Sequence, residues 1–261
     1  MGTALITGAS SGLGEEYAWQ LASAGHSLVL VARRKDRLDT LAASLRGATG
    51  VEVEVLVADL TQAKGVAEVA RRLDVGSDPS TATECAPVGL LINNAGHGFQ
   101  HSFVDNDLEQ EERGLDLMVR AVMVLSHHAA RSMRARGRGA ILNVSSIASE
   151  TGAGTYSAHK AWVKAFTEGL ALELAGSGVS ATCVMPGPTR TEFFENSGVQ
   201  FHSLPAWAWS NSEQVVEESL QAVRRGQVLV TPHPASKAAL ALMRLAPRWV
   251  TRAVVRHVPH T

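Results

Sequence analysis

The chain predicts an α/β fold built on seven strands, and three observations carry that reading. Short apolar runs alternate with amphipathic helical stretches along its length. A glycine-rich turn, GASSGLG, joins the first run to the first helical stretch, and no linker splits the alternation into two units. With 261 residues and 45% apolar content, one large domain with a sizeable core fits better than two small ones.

The elements follow in order. Residues 3–7 (TALIT) read as a short buried strand, and Gly8–Gly14 lead into the amphipathic run EEYAWQLASAG, which ends at Gly25. Gly8 allows a tight turn, Gly12 lets the backbone approach a pyrophosphate, and Gly14 lets helix pack on strand. The free N–H groups at the helix start then favour an anion. Further strands are predicted at 27–31, 51–57, 88–92, 139–144, 178–184 and 227–231. The stretch 74–87 is rich in turn formers and reads as a surface loop.

Late in the chain, YSAHK sets Tyr156 and Lys160 four residues apart, so one helical turn brings a phenol and an ammonium to the same face. A fixed cation beside a phenolate lowers the tyrosine pKa from about 10 towards neutrality, where it can exchange a proton with a carbonyl or alcohol oxygen.

The motifs Thr7-Gly8-x-x-x-Gly12-x-Gly14, Asn93 to Gly96 (NNAG), Tyr156-x-x-x-Lys160 and Pro186-Gly187-x-x-x-Thr191 occur in one order, and over about residues 3–191 the chain resembles the short-chain dehydrogenase/reductases. The resemblance implies a Rossmann-like, doubly wound, seven-stranded parallel sheet with helices on both faces, and nicotinamide-dependent carbonyl/alcohol chemistry. It also implies that Gly8, Ser10, Ser11, Gly12, Leu13, Gly14, Asn93, Ala95, Gly96, Pro186, Gly187, Thr189 and Thr191 bind the cofactor together with Tyr156 and Lys160. Asp59 and Leu60, at the end of the third strand, are adenine contacts by the same resemblance; Asp59 could equally cap the following helix.

At the end of the second strand the family's NAD-binding acid is replaced by Ala32, followed by Arg33 and Arg34. An acid there would repel a 2′-phosphate, whereas guanidinium groups attract one, so NADP(H) is the expected cofactor, with Ser10 and Arg33 as its phosphate contacts. By similarity Ser146 is the catalytic hydroxyl and Ser145 its structural neighbour, with Asn143 a rival for a polar pocket role. Tyr156 then serves as acid or base, and Lys160 binds ribose hydroxyls and tunes the phenol. Two departures matter. Ser146 and Tyr156 are ten residues apart, a shorter connection than in most relatives. Met118 stands where relatives carry an asparagine that supports a water chain to the lysine, and a thioether cannot donate a hydrogen bond.

Phe193, Phe194, Phe201, Trp207 and Trp209 crowd residues 192–212, which read as a lid over an apolar substrate or as packing anchors. Phe193, Phe194 and Trp207 are the candidate substrate contacts. Residues 1–234 form the catalytic domain and 235–261 a helical extension of it. Arg244, Arg248, Arg252 and Arg256 line one stripe of that extension, either as a solvated face of a docked helix or as a contact with an anionic membrane surface.

A net charge of −1 and 5% aromatic content argue against nucleic acid as partner. Two cysteines, no apolar run of spanning length and no leader at Met1 predict a cytoplasmic protein without a metal site. The expected function is NADP(H)-dependent interconversion of a carbonyl and an alcohol on a lipophilic small molecule, by a homodimer or homotetramer. An idle NADP-binding sensor or scaffold is the alternative.

Overall fold

In the computed structural model, residues 2–77, 85–192, 205–247, 249 and 253 are described. The apolar runs form β1 (Thr3–Thr7), β2 (Ser27–Ala32), β3 (Val53–Val57), β4 (Val88–Asn93), β5 (Gly139–Val144), β6 (Val179–Val184) and β7 (Leu229–Val230). They build one sheet in the order β3-β2-β1-β4-β5-β6-β7, every pair parallel. Between them lie α1 (Gly12–Ser23), α2 (Lys35–Thr49), α3 (Ala63–Leu73), α4 (Leu108–Leu115), α5 (Ala121–Ala135), α6 (Gly154–Glu173), α7 (Ser212–Arg224) and α8 (Pro234–Leu245).

Strand alternation divides the core into two layers. Ala4, Ile6, Leu28 and Leu30 face α1 and α2, which contribute Tyr17, Leu21, Leu38 and Leu45. Leu5, Val29, Val31 and Leu91 face the other way, against Val66, Val69 and Leu73 of α3 and Leu125 and Ala129 of α5. Strands buried on both faces lose polar alternation, which is why they read as continuous apolar runs. Because β1 is flanked by β2 on one side and β4 on the other, the winding reverses there, and a crevice opens at the strand ends.

α8, the start of the extension, is docked on the domain. Leu240 of α8 packs with Cys183, Met185 and Ile147, while Arg244 donates to Glu150. Arg248, Arg252 and Arg256 lie outside the described residues. No helix among the described residues is long and apolar enough to cross a membrane.

Candidate active site

The glycine turn opens the crevice. Gly8 has φ +67° and Gly12 φ +56°, conformations that L side chains rarely adopt. A Cβ at Gly14 would lie 2.1 Å from the Gly8 carbonyl oxygen, so Gly14 serves close packing of α1 on the turn and is not a wall of the cleft. Asn94 fastens this turn from the opposite strand, donating to the carbonyls of Thr7 at 3.0 Å and Gly8 at 3.3 Å. Thr7 reciprocates, its hydroxyl accepting from the amides of Asn94 and Ala95.

Asn93 departs from expectation. As the last residue of β4 it turns into the interior, where it donates to Ser126 at 3.1 Å and to Asn143 at 2.9 Å; Asn143 in turn donates to Thr167. This buried network braces β4, β5, α5 and α6, and it takes Asn143 out of the pocket as well. Asn94, Ala95 and Gly96 line the cleft instead.

The cleft has a volume of about 500 Å³ and runs from Ser10, Arg33, Arg34 and Asp59 at one end to Ser146, Tyr156 and Lys160 at the other. Ser11, Gly12, Leu13, Leu60, Pro186, Gly187, Thr189 and Thr191 also line it. At the first end Arg34, not Arg33, meets the serines: its guanidinium donates to the hydroxyls of Ser10 at 3.0 Å and Ser11 at 3.1 Å. Glu192 closes over this corner, paired with Arg37 at 3.0 Å and with Arg34 at 4.0 Å. Asp59 is not a helix cap, since α3 begins later, at Ala63; its carboxylate accepts from the amide and hydroxyl of Thr61. Burial works to raise the Asp59 pKa, but those bonds and the Arg33 guanidinium outweigh it and hold the carboxyl below its usual value.

The other end assembles the catalytic candidates. Ser146 follows β5 and caps a 3-10 turn (Ile147–Glu150), its hydroxyl accepting from Ala148 N–H at 3.1 Å. This turn fills the short connection to α6, so the strand end and helix start keep their places. Ser146 is also hydrogen-bonded to the Tyr156 phenol. Ser145, also in the cleft lining, donates to the Lys160 carbonyl at 2.7 Å. The Lys160 ammonium donates to the Val144 carbonyl at 2.9 Å and stands 5.6 Å from the Tyr156 ring centre.

Burial, more than the lysine, governs both pKa values. It pushes the Tyr156 phenol upward, with only the Ser146 bond opposing, and pulls Lys160 down to about 8. The expected lowering of the phenol by its neighbour is therefore corrected: in this environment Tyr156 keeps its proton throughout the neutral range, the state a proton donor needs.

Met118 sits in a π turn (Asp116–Arg120) between α4 and α5, buried against Phe99 and Tyr156. A Cβ on Gly96 would lie 3.5 Å from the Lys160 ammonium and 3.6 Å from the Met118 sulfur. The Met118 thioether thus packs close to the Lys160 ammonium. Trp207 does not reach the cleft; on the 3-10 turn Ala206–Ala208 it is 71% exposed. Phe193, Phe194 and Phe201 fall outside the described residues. Gly187 is more than a turn glycine, since a Cβ there would lie 2.2 Å from the Ser236 hydroxyl of α8. Sequence reasoning missed Phe99 and His97; His97, directly after NNAG, lines the cleft.

A strand, a glycine turn and an open helix start facing one end of the cleft, with a phenol, a hydroxyl and an ammonium at the other, fit a dinucleotide laid across the switch point. The short chain dehydrogenase model matches residues 2–200. The chain belongs to the short-chain dehydrogenases. A short-chain dehydrogenase from Sphingobium yanoikuyae in complex with NADPH is 36% identical, with a TM-score of 0.83 and coverage of 99% of this chain and 96% of that one. The bulky-bulky ketone specific alcohol dehydrogenase from Comamonas testosteroni is 35% identical, with a TM-score of 0.78 and 95% of each chain covered. A 7beta-hydroxysteroid dehydrogenase from Collinsella aerofaciens is 34% identical over 72% of this dehydrogenase and 68% of its own length. Other curated relatives are longer: the match spans 14% of a glycine betaine reductase from Emericella nidulans and 63% of a very-long-chain 3-oxoacyl-CoA reductase from Anas platyrhynchos.

Proposed function

We propose that this short-chain dehydrogenase interconverts a carbonyl and an alcohol using NADP(H), with Tyr156 as proton donor in reduction and acceptor in oxidation. The observation that carries the reading is the meeting of Ser146, Tyr156 and Lys160 at one end of a cleft whose other end holds Ser10, Ser11 and Arg34. The dinucleotide, when bound, supplies or receives the hydride.

The chain's own residues handle the oxygen and its proton. Ser146 donates to the substrate oxygen and fixes its distance from Tyr156. Tyr156, kept protonated by burial, gives up its proton as negative charge develops on that oxygen. Lys160, anchored on Val144, presents an ammonium that stabilises the phenolate left behind and can reach ribose hydroxyls. Arg34 and Arg33 offer cations to a 2′-phosphate, and the absence of an acid at Ala32 removes the group that would repel it.

Behind the phenol the packing is apolar, with Phe99 and Met118 buried against it and Leu117, which also lines the cleft, beside them. A lipophilic ketone or secondary alcohol is the substrate class we propose, in keeping with the ketone and hydroxysteroid named for two of the similar proteins. We further propose a homodimer or homotetramer, supported by the half-exposed Met123 on α5 and the stacked Trp162 and Phe166 on α6, and a cytosolic location, in keeping with two free cysteines. The idle-binder alternative draws on Met118 alone.

NADPH oxidation followed across lipophilic ketones and small polar carbonyls tests the reading. Turnover of the lipophilic set that disappears in Tyr156→Phe supports it; tight NADPH binding with no turnover of any carbonyl favours the binder, and preference for small polar carbonyls refutes the substrate class.

A further inference from the structure

The helix that carries Tyr156 and Lys160 starts without a cap of its own. The residue before it is Ala153, which offers no side-chain acceptor, and its first turn contains no acidic residue. Thr151 meets this start from just outside, its hydroxyl accepting from the Ala153 N–H and bonded to Ser157, while Tyr156 sits in that very turn.

A second support comes from another element. Glu111 of α4 is buried, 6% exposed, and one carboxylate oxygen accepts from the Thr155 hydroxyl at 2.6 Å. Thr155 is the residue before Tyr156. The second oxygen accepts from the Asn106 side chain at 2.7 Å, and Asn106 belongs to the loop that also carries His97 and Phe99. Three residues further along α4, on the same face, Gly114 leaves the space that the Phe99 ring fills; a Cβ there would lie 2.3 Å from that ring. Phe99 in turn packs with Tyr156 and Met118.

One face of α4 therefore holds both the start of the catalytic helix and the ring packed against its phenol. A buried carboxylate costs free energy unless its oxygens are well bonded, and here one bond goes to the neighbour of Tyr156 and the other to the loop that carries Phe99. From this juxtaposition we infer that Glu111 is a positioning residue: by receiving Thr155 and Asn106 it braces the first turn of α6 and sets the Tyr156 phenol against its substrate. The inference rests on Tyr156 being the acid of the proposed reaction. What matters is the hydrogen-bond geometry rather than the charge, because a glutamine can accept from Thr155 through its oxygen and donate to Asn106 once that amide turns over.

The test compares Glu111→Ala and Glu111→Gln with the natural enzyme by steady-state kinetics, NADPH titration, thermal melting and hydrogen–deuterium exchange over residues 152–160. In Glu111→Ala, kcat is expected to fall roughly tenfold to a hundredfold, as misplaced catalytic groups do, while the NADPH dissociation constant stays within about twofold. Exchange over 152–160 should rise beyond any change elsewhere, and Glu111→Gln should restore both kcat and protection. Unchanged exchange in that segment, a loss shared equally by the glutamine variant, or a loss that merely follows a lower melting temperature would overturn the inference. If the natural protein binds NADPH but reduces no carbonyl, the proposed function fails, and the exchange arm alone still decides whether Glu111 holds the start of α6.

Discussion

The two ends of the cleft are built by different means. The glycine-turn end is made of main chain and neighbouring side chains: the turn after β1, the residues closing β2 and β3, and Asn94 reaching across to Gly8. The end at Tyr156 is made of side chains that arrive from the end of β5, the π turn, α6 and the loop after β4. Disturbing the first should chiefly affect folding and cofactor affinity; disturbing the second should change rate.

Removing the phenol tests that contrast most severely. Tyr156→Phe should lower kcat by about 10²- to 10⁴-fold with the NADPH dissociation constant nearly unchanged, measured by steady-state kinetics and fluorescence titration. Comparable losses in binding and rate would abolish the distinction between the ends. Next in size is Gly14→Ala, which must displace the Gly8 carbonyl or α1 because its Cβ would lie 2.1 Å from that oxygen. It should cost about 1–3 kcal/mol of unfolding free energy by urea denaturation and weaken NADPH binding as well.

Arg34→Ala sharpens the comparison within the glycine-turn end. It should weaken NADPH by roughly tenfold, the worth of one charged hydrogen bond, and leave NADH almost unaffected. Equal loss for both dinucleotides would mean that Arg34 supports the turn through Ser10 and Ser11 without reading the phosphate.

The smallest effect concerns α8. Glu150 joins Lys164 at 2.5 Å and Arg244 at 3.3 Å, tying the 3-10 turn after Ser146 to α6 and α8. Burial works to raise the Glu150 pKa, but the two cations prevail and hold it below its ordinary value of 4.5. Its contribution to stability is therefore complete above that value and disappears as pH falls through the lower, folded one. Glu150→Gln should remove up to about 1 kcal/mol at pH 7 and flatten the loss of stability below pH ~4.5, followed by thermal melting across pH.

Much of this was readable in advance because it depends on short stretches of chain. The strands at 3–7 and 139–144 coincide with β1 and β5, since a parallel strand buried on both faces must be apolar throughout. Tyr156 and Lys160 share a face of α6 because helical spacing puts them there. What escaped was set by contact between distant residues. The choice of Arg34 over Arg33 at the serines depends on how the chain leaves β2 for α2. The inward turn of Asn93 depends on polar partners 33 and 50 residues away. Phe99 carries no motif, and its place follows from a glycine on α4.

The sequence by itself determined the order of strands and helices, the glycine turn, the pairing of phenol and ammonium, and the lack of an acid after β2. Each is a matter of spacing or residue type within a few neighbours. Only the tertiary structure decided the proton affinity of Tyr156, the packing of Met118 and the support of α6 by Glu111. Burial and hydrogen bonding between remote segments control those properties, and neither exists until the sheet and its two helical layers have closed around the site.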